Sequence, residues 1–260
     1  MVVGLDRFRT HFADFADQYV LIGGTATFLV LDEAGLDARM TRDLDIVLCV
    51  EALESDFVEA FWAFVHAGGY QNQQRSTGKK VFYRFDKPAD PSYPARLELF
   101  SRNLTDLLLK DGSHLTPVPV GEDVSSLSAI LLNKDYYAFL HARKRNIGGV
   151  PVVGEECLIP LKARAWLDLT ARKKAGEHVD SRDIKKHRND IFRLYQLLPP
   201  DLRIEMPESI KNDLNLFFTS LMKEPEPDLK SIGIRDIQFS ELVLTICNIY
   251  NVKISEAKKI

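Results

Sequence analysis

The sequence predicts an α/β (α+β) fold: a mixed sheet with helices over residues 1–154, followed by a C-terminal helical bundle over residues 155–260. Three observations predict it. Short apolar or alternating runs bounded by glycine and proline recur as far as Gly154, with helical repeats between them. Strand signals thin out from Glu155 onward. Beyond that point apolar residues recur at helical spacing, interrupted by Gly176, Pro199-Pro200 and the Pro225/Pro227 linker.

Residues 5–17 repeat Phe and Leu at helical spacing, and Tyr19 to Ile22 is a short apolar run cut off by Gly23-Gly24. A helix, a buried strand and a turn are expected there. A helix over Thr25 to Leu31 opens directly after the glycines. Asp43 to Val50 alternates and then turns fully apolar, as a core strand does, and Glu51 to His66 is an amphipathic helix closed by Gly68-Gly69. Val81 to Phe85 and Ala95 to Phe100 read as strands joined by a Pro-rich loop. Residues 125–145 read as a helix, and Asn146 to Gly154 as a turn leading into a short strand. Helices are expected over 156–174, 181–198, 207–223 and 236–250, with a basic, frayed tail at 253–260.

The 260 residues, 45% hydrophobic and 27% charged, can bury a sizeable core. A net charge of -3 gives the whole surface no bias toward nucleic acid or anionic membrane, so any polyanion site must be local. Cys49, Cys157 and Cys247 each lie in an apolar run and read as buried thiols of a reducing compartment. No apolar stretch reaches about 18 residues, and charges stand where a signal peptide needs an apolar run. The expectation is a soluble cytoplasmic protein with no membrane partner.

Gly23-Gly24-Thr25, at the junction of a strand and a helix, reads either as a plain turn or as a phosphate cradle of bare N–H groups at the positive end of a helix dipole. Asp43 and Asp45 are two apart at a strand start, so one face carries both while Leu44 points to the core. They either cap an exposed strand end or share one or two hard divalent cations, Mg²⁺ or Mn²⁺. Glu98, an acid between apolar residues in Arg96-Leu97-Glu98-Leu99-Phe100, is costly there unless it is matched, which strengthens the metal reading. It is the candidate third ligand, expected on the neighbouring strand with its carboxylate turned toward the other two.

Gly-Gly-Thr, then Asp-Leu-Asp, then a carboxylate on a later strand resembles the polymerase-beta-like nucleotidyltransferase superfamily. The form Arg39-Met40-Thr41-Arg42-Asp43-Leu44-Asp45 is similar to its AbiEii/AbiGii toxin branch. The resemblance extends to the stretch Leu158 to Leu169, which looks like a lysine-bearing helix, and to Asp183 to Ile191, which looks like the final motif. It implies a nucleotidyltransferase fold with the helical domain closing the nucleotide cleft. It implies an NTP-dependent, two-metal enzyme with Asp43, Asp45 and Glu98 as catalytic and metal-binding residues. The nucleotide would be held by Gly23, Gly24, Thr25, Arg39, Lys162, Lys186 and Asp190, with Arg39 either structural or facing the triphosphate. An RNA acceptor such as tRNA and a cognate antitoxin, in a toxin–antitoxin or phage-defence pair, are further implications.

Other readings stand beside these. Lys162 lies one step off a buried stripe and can snorkel beside Trp166. Lys186 and Asp190 are spaced as an ordinary i,i+4 ion pair, and His187 falls in an apolar seam as core histidines do. Either Arg164 or Arg172 could be the arginine that follows the helix lysine. A non-catalytic nucleotide-binding protein and an antibiotic-modifying nucleotidyltransferase are the alternative functions.

Overall fold

The computed structural model describes residues 2–49, 52, 55–71, 84–101 and 133–253. The fold is α/β, and the described residues form a six-stranded mixed sheet. The chain divides into two units, one of Met1–Glu33 with Ala38–Gly154, the other of Ala34–Asp37 with Glu155–Ile260.

In the first unit the described helices are α1 (Leu5–His11), α2 (Gly23–Glu33), α3 (Ser55–Gly68) and α4 (Lys134–His141). The strands are β1 (Tyr19–Ile22), β2 (Asp43–Leu48), β3 (Arg84–Asp86), β4 (Arg96–Phe100), β5 (Lys144–Ile147) and β6 (Val150–Val153). They lie in the order β3-β4-β2-β1-β6-β5. β2 runs antiparallel to β1 and parallel to β4, and β1 runs parallel to β6. This order puts β1 and β2 in the middle, and β1, as its fully apolar run predicts, is buried throughout.

One face of this sheet is closed by aromatic rings. Phe8 and Phe12 of the N-terminal segment and Phe57 of α3 pack on Tyr19, Phe61 and Phe64 of α3 pack on Phe12, and Phe61 meets Phe85 of β3 edge-on at 5.5 Å. This cluster shortens the first helix: α1 ends at His11 and a 3-10 turn, Ala13–Phe15, follows, where periodicity alone predicts a helix to residue 17. Phe12 is fully buried and its ring contacts hold the bend, so packing overrides local spacing.

Other boundaries moved for local reasons. Helix α2 starts at Gly23, so the glycines form its first turn instead of a loop before it. Ala52 lies in a turn closed on the Cys49 carbonyl, and α3 begins at Ser55, later than expected. The expected helix at 125–145 ends at His141, and Lys144–Ile147 is a strand that the sequence reading missed. It is a polar edge strand with no apolar alternation to reveal it. Gly148 and Gly149, both at positive φ, make the tight turn into β6. Residues 125–132, Val81 to Tyr83, Val50, Glu51 and the tail from Ile254 lie outside the described residues.

The second unit contains α5 (Glu155–Lys174), α6 (Ser181–Tyr195), α7 (Glu208–Leu221) and α8 (Phe239–Ile249). Trp166 of α5 meets Phe217 of α7 edge-on at 5.1 Å, and Phe192 of α6 meets Phe239 of α8 at 5.8 Å. Pro160 inside α5 lacks the N–H that would bond the carbonyl of Glu156. The buried Tyr250 hydroxyl donates to that carbonyl at 2.9 Å, so a residue beyond α8 repairs the gap. All three cysteines are buried and in no disulfide, and burial pushes the Cys247 thiol up to about 12. Among the described residues no helix is long and apolar enough to cross a membrane.

Candidate functional site

Strand β2 alternates as its sequence demands: Leu44 is fully buried, and Asp43 and Asp45 are half-buried on the opposite face. Antiparallel pairing sets Ile22, the last residue of β1, opposite Asp45. The chain then enters α2 through Gly23 at a φ of 67°, in the left-handed region that glycine tolerates. A Cβ on Gly23 would stand 1.8 Å from Asp45 Oδ2, so the carboxylate rests on the bare backbone of the helix start. A Cβ on Gly24 would lie 3.0 Å from Thr41 Oγ1 and 3.6 Å from the Arg39 guanidinium. The Thr25 hydroxyl donates to the Asp43 carbonyl at 2.7 Å, and the Thr27 hydroxyl to the Gly23 carbonyl at 2.7 Å. Gly23, Gly24, Thr25, Arg39, Asp43 and Asp45 thus share one end of β1 and β2.

Glu98 lies on β4, beside β2, in register with Asp45. Parallel pairing and the period of two put Asp43, Asp45, Arg96 and Glu98 on one face, opposite the aromatic cluster. The expected strand is therefore the right one, but the carboxylate is engaged elsewhere: Arg84 Nε donates to Glu98 Oε1 at 2.5 Å. Among the described residues no three His, Cys, Asp or Glu side chains form a ready metal cluster.

Three side chains that the sequence reading did not single out complete this face. Arg96 Nε donates to Asp86 Oδ1 at 2.5 Å, and its Nη1 lies 3.8 Å from Asp43 Oδ2. Burial works against the Arg96 charge, but the hydrogen bond to Asp86 and the charges of Asp86, Glu98 and Asp43 outweigh it and raise its pKa. The signal was present in Arg84-Phe85-Asp86 and Arg96-Leu97-Glu98, two charged–apolar–charged triplets that pair antiparallel. Read one strand at a time, they show no partnership.

The site candidates of the second unit are arranged otherwise than local spacing suggests. Lys162 is 3% exposed, too buried to snorkel to solvent, and its Nζ donates to Asp190 Oδ2 at 2.8 Å across α5 and α6. Asp190 also lies 3.5 Å from Arg193 Nη1, so it serves more than an i,i+4 surface pair with the half-buried Lys186. Arg164 reaches Asp213 at 3.1 Å, and Arg172 reaches Glu177 at 2.7 Å. Both arginines therefore hold structural ion pairs within the unit.

The donors of the first unit suit a hard divalent cation: oxygen ligands only, on one face of paired strands, beneath a helix start that only glycine lets approach so closely. No family model matches the chain, and no curated protein or solved structure matches it either.

Proposed function

We propose that the chain is a metal-dependent nucleotidyltransferase with a polymerase-beta-like fold, transferring a nucleoside monophosphate from a nucleoside triphosphate to an acceptor hydroxyl. The observation that carries this reading is the seating of the Asp45 carboxylate on Gly23, which joins a candidate phosphate cradle to a candidate metal ligand. A strand-end cap needs no such approach. Asp43, Asp45 and Glu98 would hold Mg²⁺ or Mn²⁺, which supplies charge neutralisation on phosphate oxygens and a more acidic acceptor hydroxyl.

The backbone N–H groups of Gly23, Gly24 and Thr25 would bind the triphosphate, and Arg39 beside Gly24 is placed to add positive charge. Glu98 would accept the proton of the acceptor hydroxyl as its oxygen attacks the α-phosphorus and pyrophosphate leaves. Within the second unit the Lys162–Asp190 pair would fix the packing of α5 on α6, the helix that carries Lys186.

RNA, with tRNA as one form, is the acceptor we propose, and a cognate antitoxin the partner; both rest on the resemblance of the Arg39 to Asp45 motif. The test incubates the purified protein with each labelled triphosphate, Mg²⁺ or Mn²⁺ and total RNA. Label in RNA supports the reading. Label in a small cationic drug but never in RNA would move the acceptor class, and no transfer from any triphosphate would refute the enzyme.

A further inference from the structure

The acidic face of the first unit is a grid of two cross-strand rows. In one row Asp43, Arg96 and Asp86 stand side by side on β2, β4 and β3, and in the next Asp45, Glu98 and Arg84 do. The first row has its cation in the middle, where Arg96 reaches both carboxylates. The second has its cation at the edge, so Asp45 and Glu98 are direct neighbours on strands about 4.8 Å apart.

The two members of the Arg84–Glu98 pair differ in their access to water. The Glu98 side chain is 12% exposed and the Arg84 side chain 35%. A carboxylate so covered, with an aspartate in the adjacent position, requires a counter-charge at all times. Arg84, with a third of its side chain already in solvent, can be rehydrated on leaving, provided another cation takes its place at Glu98.

We propose that Arg84 is the resident counter-ion of Glu98: it holds Glu98 in the metal-free protein and gives it up when a divalent cation binds between Glu98 and Asp45. Arg84 is thus a positioning residue that keeps the third ligand oriented and sets the affinity of the site. This rests on the two-metal reading of Asp43, Asp45 and Glu98. The consequence is contrary to a merely structural role. Removing the Arg84 charge relieves the competition for Glu98 and tightens metal binding, whereas loss of a structural support would loosen it.

The test is a Mn²⁺ titration of the full chain, with free Mn²⁺ followed by electron paramagnetic resonance, on the wild type, Arg84→Gln, Arg84→Lys and the double variant Arg84→Gln/Glu98→Gln. Arg84→Gln should bind Mn²⁺ about tenfold more tightly than the wild type, the effect of removing one charge-assisted hydrogen bond that competes with the metal. Arg84→Lys should stay near the wild type, and the double variant should lose the gain. Equal or weaker binding by Arg84→Gln overturns the proposal while leaving the two-metal reading intact. No Mn²⁺ binding by the wild type removes both. Should Arg84→Gln fail to fold, the wild type decides: the Arg84 Nε–H resonance must move on saturation with Mg²⁺, and a resonance that stays at its carboxylate-bound position overturns the exchange.

Discussion

Asp45 occupies the space that any side chain on residue 23 would need, with its Oδ2 1.8 Å from where a Cβ would be. The strand and the helix start therefore depend on each other. Gly23→Ala meets both a positive φ and a carboxylate, and should cost about 2–4 kcal/mol. Gly24→Ala has Thr41 Oγ1 at 3.0 Å as its nearest neighbour and should cost less. Urea unfolding of the two variants checks the order, and an equally stable Gly23→Ala would mean that the two do not touch.

The repair at Pro160 is separately testable. Tyr250→Phe removes the hydroxyl that donates to the Glu156 carbonyl and should destabilise the protein by about 1–2 kcal/mol. Pro160→Ala restores the helical N–H at that carbonyl, so Tyr250→Phe should cost less in that background. A double-mutant cycle by thermal unfolding measures the coupling, and strict additivity would exclude it.

Lys162 and Asp190 are buried together, so removing one strands the other. Lys162→Met should destabilise by about 3 kcal/mol, the low end for a broken buried pair because Arg193 stays near Asp190. The double variant Lys162→Met/Asp190→Leu should recover most of that loss. If Lys162→Met unfolds at the wild-type denaturant midpoint, the pair contributes nothing to the second unit.

The fold class and most elements were legible because they are written in local periodicity. Tyr19 to Ile22 is one apolar run, and the structure has that strand with those ends. The alternation at Asp43-Leu44-Asp45 places two acids on one face without any knowledge of the neighbouring strands. The polar edge strand β5 was not legible, since an edge needs no apolar alternation. Nor was the partner of Glu98: the sequence demands a match for an acid between Leu97 and Leu99, but only the antiparallel register of β3 on β4 identifies it as Arg84. The burial of Lys162 was not legible for a related reason. Helical spacing puts it beside the apolar stripe, and the packing of α6 against α5 turns that margin into interior.

We propose Asp45 as a metal ligand of a nucleotidyl-transfer site. Its most direct test is metal-dependent pyrophosphate release by the wild type and by Asp45→Asn, with unfolding of both measured in the absence of metal. The account predicts that Asp45→Asn loses at least about a hundredfold in release while its metal-free stability stays level or rises, because a like charge beside Glu98 has been removed. Near-wild-type release by Asp45→Asn with Mg²⁺ would contradict it.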